Sequence, residues 1–81
     1  MPYKVSTNGI KANNNRLSKG WTDLTDLQKQ TLAYLSSREE EGEHDLIPTR
    51  IIAYELKLHP RAVSGIAYSL YKRGLVEKGK E

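Results

Sequence analysis

Apolar positions recur at steps of three and four in three stretches of the chain, and between those stretches the pattern breaks at glycine, proline or a run of carboxylates. Leu24, Leu27, Thr31, Leu32 and Leu35 share one face of a helix that the spacing predicts from Thr25 to about Arg38. Thr25-Asp26-Leu27-Gln28 is its start signal, since a threonine followed three residues later by glutamine satisfies two orphan backbone N–H groups reciprocally. Ile51, Ile52, Ala53 and Leu56 mark the buried face of a short second helix with Thr49 as N-cap, and Leu58 closes that pattern. Val63, Ile66, Ala67 and Leu70 mark a third helix from Pro60 to about Arg73. Proline suits the first helical position, where its missing N–H is no loss, and Gly74 stands where a left-handed residue ends a helix.

Between the helices, Leu46-Ile47 before Pro48 predicts a very short strand, and Leu75-Val76 restarts the chain in extended form. Glu39 to Asp45, with Gly42 inside, reads as a solvated loop. The first twenty residues, with Asn13-Asn14-Asn15, Gly9 and Gly20, hold too few apolar groups to offset the entropy of ordering them alone. A flexible basic arm over residues 1–20 is expected, with a short extended piece at Tyr3–Val5, ahead of a domain over residues 21–81. No internal repeat is visible.

A chain of 81 residues, 37% hydrophobic, supports one domain with one small core. It has no cysteine, so neither a disulfide framework nor a thiolate metal site braces it, and packing must supply the stability. No apolar run approaches the roughly 18 residues that span a bilayer, and MPYKVSTNGIK lacks the apolar segment of a signal peptide. A cytoplasmic protein with no membrane contact is expected.

The net charge of +3 says little until its distribution is followed. Residues 1–20 carry Lys4, Lys11, Arg16 and Lys19 and no acid. Residues 21–45 are acidic through Asp23, Asp26, Glu39, Glu40, Glu41, Glu43 and Asp45, and residues 46–80 are basic again, with seven bases against Glu55 and Glu77. Sorted in this way, the charges allow one face to be far more basic than the whole.

Three helices, the second and third separated only by the residues around Lys57–Pro60, followed by Gly-Leu-Val, fit a helix-turn-helix plan with a wing. The stretch IPTRIIAYELKLHPRAVSGIAYSLYKRGLVEK resembles the winged helix-turn-helix superfamily. Leu24-Thr25 with Gln28, then Pro48-Thr49, is similar to the N-terminal DNA-binding domain of LexA repressors. Val63-Ser64, Leu70 and Lys72-Arg73-Gly74-Leu75-Val76-Glu77 is similar to the recognition helix and first wing strand of MarR-type regulators. The likeness covers residues 24–78. The fold it implies is mainly α with a small β-wing, a three-helix winged helix-turn-helix domain. Only Lys80 and Glu81 follow Gly79, so the wing is expected to be truncated, without its usual returning strand.

This resemblance implies that the third helix lies in the major groove of duplex DNA. Arg61, Ala62 and Ser64 then reach base edges, with Gly65 and Tyr68 next along the groove. Arg50, Ser69, Lys72, Arg73, Lys78 and Lys80 are the corresponding phosphate contacts. Gly65 has two readings, close approach to a partner or tight packing against the second helix. The bases also have the plain reading of a solvated surface, and the arm that of a tail or of a minor-groove contact. A homodimer has no assigned element; Trp21, Tyr34 and the arm are the candidates.

Catalysis finds little support. His44 and His59 are far apart in sequence and stand in no metal-ligand spacing, the Glu39–Asp45 carboxylates lack the alternation of a calcium loop, and no phosphate loop or nucleophile motif occurs. His59 reads as a helix-start residue beside Pro60. No enzyme, cofactor or metal is expected. Tyr68 and Tyr71 are expected at different depths, Tyr71 half-buried, which speaks against a stacking platform for single strands or RNA. Two functions stay open: a sequence-specific duplex-DNA-binding protein in transcriptional or replication control, and a winged-helix adaptor that docks a protein through Tyr54, Tyr68 and Tyr71 or the acidic loop.

Overall fold

The computed structural model describes residues 1–79. Along them run β1 (Pro2–Val5), α1 (Thr7–Asn14), α2 (Lys19–Thr22), α3 (Asp26–Glu40), β2 (Ile47–Pro48), α4 (Thr49–Leu56), α5 (Pro60–Lys72) and β3 (Val76–Lys78). The described chain is mainly helical, with a small antiparallel sheet in the order β2-β1-β3.

Both halves of the capping box at the start of α3 form. Thr25 Oγ1 accepts the Gln28 N–H at 3.2 Å and Gln28 Oε1 accepts the Thr25 N–H at 2.8 Å. The helix buries Thr31, Leu32, Leu35 and Ser36, with Leu24 buried just ahead of it. Leu27, expected in that stripe, is 41% exposed, and Gln28 takes the inward place at 8%. The reason is a partner: Gln28 Nε2 donates to Ser69 Oγ of α5 at 2.7 Å, which removes the penalty of burying the amide.

Pro48, not Thr49, is the N-cap of α4, and Thr49 donates its N–H to the Met1 carbonyl at 3.2 Å. Ile52 and Ala53 are buried, while Ile51, expected beside them, is exposed. Three consecutive residues span about 200° of a helix, more than the face α4 turns to its neighbours. At the turn into α5, Lys57 adopts a left-handed φ of 58°, and the Leu58 N–H reaches the Ala53 carbonyl at 2.9 Å. His59 Nδ1 then accepts the Arg61 N–H at 3.1 Å, with Pro60 at the first helical position. Val63, Ala67 and Leu70 are buried and Ile66 partly so. Gly74, at φ 77°, ends the helix with Leu75 N–H on the Leu70 carbonyl at 3.0 Å and its own N–H on the Tyr71 carbonyl at 2.9 Å.

The first twenty residues correct the expectation of a flexible arm. β1 is the central strand, with Tyr3 opposite Ile47 and Lys78, and Val5 opposite Val76. Ser6 accepts the Gly9 N–H at 3.1 Å as N-cap of α1, and its hydroxyl donates to the Gly74 carbonyl at 2.8 Å, tying α1 to the end of α5. Gly9 is required there, because a Cβ would overlap the Leu75 carbonyl and the Val5 side chain. Trp21 is buried, with the Arg16 guanidinium 4.5 Å from its ring centroid. The entropy argument counted only local apolar groups. Tyr3, Val5, Ala12 and Trp21 bury themselves instead in a cluster completed by Leu32, Leu35, Leu70, Leu75 and Val76 from the rest of the chain. For the same reason β3, expected to lack a returning strand, is not left unpaired: its partner is β1.

Candidate nucleic-acid interface

Residues on α5 separated by steps of four, three and four stand above one another on one face. Arg61, Gly65, Tyr68 and Lys72 form such a row, all exposed, with Ala62 exposed on one side and Ser64 on the other. No acidic residue occurs in α5. A Cβ built on Gly65 meets nothing within 4 Å, so tight packing against the preceding helix is not why glycine stands there.

At the far end of the row, β3 contributes a cation. The Lys78 ammonium lies 5.6 Å from the Tyr68 ring centroid and 5.3 Å from that of Tyr71, and Lys72 lies 5.9 Å from Tyr68. The two rings are 5.8 Å apart at 42°, with Tyr68 46% and Tyr71 39% exposed. Tyr71 is therefore a neighbour of Tyr68 at similar exposure, not the deeper residue expected from a spacing of three. Its place in the site was missed; the signal was a base in the strand that follows the helix. Tyr3 of β1 feels both rings: burial first, then the proximity of Tyr68 and Tyr71, raise its phenol above the ordinary 10.0.

The other expected contacts separate. Arg50 is exposed at the start of α4. Ser69 is turned inward: its hydroxyl donates to the Ile66 carbonyl at 2.6 Å and accepts from Gln28, so it holds α3 to α5 and does not join the exposed row. Arg73, exposed at the C-cap of α5, faces a separate groove with Lys11. Lys80 lies outside the described residues. Lys4 is engaged by the acidic loop, donating to the His44 carbonyl at 3.0 Å and lying 3.9 Å from Glu39. From the end of α3, Arg38 pairs with Glu41 and Glu43 of the loop, and His44 of the loop bonds Glu39.

Trp21, a candidate dimer contact, is a core residue. Tyr34 is half-buried and its phenol is raised by burial, with Arg38 opposing and Glu55 and Glu41 adding. Among the described residues no three histidine or carboxylate side chains converge as a metal set, and no helix is long and apolar enough to cross a membrane. Compared with known proteins, the chain matches no family model, no curated protein and no solved structure at the significance required.

Proposed function

We propose that this chain is a sequence-specific duplex-DNA-binding protein of the winged helix-turn-helix kind, a small transcriptional regulator that reads the major groove with α5. The observation that carries the reading is the exposed, acid-free row of Arg61, Gly65, Tyr68 and Lys72, with Lys78 held at its end by two aromatic rings. A helix fits the major groove, and a residue in its first turn meets base edges, so Arg61 pairs with guanine and Ala62 and Ser64 touch the neighbouring bases. The bare backbone at Gly65 lets the helix approach closely, and Tyr68 packs on the sugar–phosphate edge. Arg50, Lys72 and Lys78 neutralise phosphates.

The succession α3, β2, α4, α5, β3 supports the winged-helix assignment, as does the short turn between α4 and α5. β1 lies between β2 and β3, so a wing built on β3 takes its partner strand from residues 2–5.

The test is a fluorescence-anisotropy titration of random duplex DNA at two salt concentrations. Binding weakens with salt as counterions are released; Lys72→Ala lowers the slope of log K against log salt by about 1, and Arg61→Ala costs about 1–3 kcal/mol at one base pair of a selected site. No binding by the wild type at low salt overturns the reading. One observation favours a protein partner instead: Tyr54 is 81% exposed, and Leu46 and Ile51 are exposed beside Glu43 and Asp45. An adaptor of that kind shows no steep salt dependence with DNA.

A further inference from the structure

An open groove of about 620 Å³ runs between α1 and the C-terminal end of α5, with Lys11, Asn14 and Arg73 on its rim and the buried Ala12 and Leu75 beneath. A smaller pocket beside it shares Gly20, Arg73 and Leu75 and adds Lys19 and Asp23 to the lining. Of the four bases in residues 1–20, two are engaged inside the molecule: Lys4 by Glu39 and the His44 carbonyl, Arg16 by Asn13 and Trp21. The remaining two line these adjoining pockets, Lys11 the larger and Lys19 the smaller, and Arg73 lines both. Among the described residues none of these three side chains has an ion-pair or hydrogen-bond partner. Helix dipoles account for Lys11 in the last turn of α1 and for Arg73 at the end of α5 one at a time. They do not account for three unpaired cations, from α1, α2 and α5, sharing one groove.

We infer that this groove is a second phosphate-binding surface, which takes the backbone of the nucleic acid bound by α5. The inference rests on the DNA-binding reading above. Its geometry favours a strand over a small enclosed ligand, because the groove is open to solvent and its cations come from three separate parts of the chain. Arg73 stands one position after Lys72, so the groove borders the same C-terminal end of α5 at which the exposed row stops, about 100° further round the helix. The groove carries no sequence information, since lysine and arginine here meet phosphates and not base edges.

The experiment compares wild type, Lys11→Gln/Lys19→Gln and Arg61→Ala/Lys72→Ala in anisotropy titrations across a salt series, on a selected site and on random duplex. Circular dichroism of each variant serves as the folding control, and exposed unpaired lysines are expected to leave it unchanged. The groove variant is expected to lower the salt slope by about 2, at about 0.9 for each phosphate that is no longer neutralised, equally on both duplexes. An unchanged slope in the groove variant, alongside loss of binding in Arg61→Ala/Lys72→Ala, overturns the groove and leaves the α5 reading standing. No binding by the wild type at low salt overturns both. Titration with adenosine monophosphate under amide NMR is the second arm: saturable shifts at Asn14 and Asn15 at sub-millimolar concentration identify a free nucleotide as the ligand and overturn the strand proposal.

Discussion

The side-chain amide of Gln28 donates to the Ser69 hydroxyl at 2.7 Å, joining the first turn of α3 to α5 across 41 positions of sequence. The same side chain accepts the Thr25 N–H, so one residue both caps α3 and sets its rotation against α5. Ser69→Ala leaves a buried amide donor without its partner and is expected to cost about 1–3 kcal/mol. Gln28→Leu/Ser69→Ala is expected to cost less than the sum of the single changes, because the buried Gln28 amide is no longer left without its partner. Urea midpoints of the four proteins measure this; strict additivity means that the bond contributes nothing.

A folded β1 and a flexible arm differ sharply in what Tyr3 contributes. In β1 its side chain is fully buried, so Tyr3→Ala is expected to cost about 3–5 kcal/mol, a large part of the roughly 5–15 kcal/mol that holds a domain folded. In an arm the same change stays within about 0.5 kcal/mol. Thermal unfolding followed by circular dichroism decides between them. Amide exchange adds a local check, since the pairing of Val5 with Val76 protects that part of both strands.

What could be read in the sequence was what neighbours along the chain determine. Thr25 and Gln28 are three apart, Pro60 and Gly74 bracket α5, and Val63, Ala67 and Leu70 repeat at its period, so those elements and the exposed row from Arg61 to Lys72 were legible. Tyr3–Val5 reads as a short extended piece, but its place as the central strand was not legible, because Tyr3 and Val5 pair with Ile47, Val76 and Lys78, which lie more than forty positions away. Gly9 reads as a flexible position from its neighbours alone, whereas its missing side chain makes room for the Leu75 carbonyl. Ser69 sat on the polar face by period alone, and only a distant glutamine turns it inward.

Alkaline pH tests the burial of Tyr3. Its phenol is raised above 10.0 by burial and by Tyr68 and Tyr71, so the folded chain keeps a proton that the unfolded chain releases. The stability linked to this group is full below the ordinary tyrosine value and falls as pH rises through the raised one. Tyr34 acts in the same direction. Tyr3→Phe is therefore expected to lose less stability than the wild type between about pH 8 and about pH 11, the range across which tyrosine titrates. Equal losses in both proteins place the alkaline sensitivity elsewhere.

Lys57 holds a φ of 58° at the turn between α4 and α5, a conformation that costs a side-chain-bearing residue about 1–2 kcal/mol. Glycine removes that cost but loses more entropy on folding, about 0.5–1 kcal/mol. Lys57→Gly is expected to stabilise the protein by about 0.5–1 kcal/mol, which at this size raises Tm by several degrees, at about 4–8 °C per kcal/mol. A lower Tm would mean that the lysine side chain makes a stabilising contact that outweighs its backbone strain.

Gly65 separates stability from binding in a single substitution. It stands in the middle of α5, exposed, with open space where a Cβ would be. Alanine is the better helix residue by about 1 kcal/mol, so Gly65→Ala is expected to raise Tm. If α5 lies in the major groove, the added methyl meets the duplex at the point of closest approach, and DNA affinity falls while stability rises. Opposite signs in the two measurements mark a surface kept bare for a partner. A variant that is more stable and binds DNA unchanged, in the same anisotropy titration as the Arg61 and Lys72 variants, puts the contact on another face of the molecule.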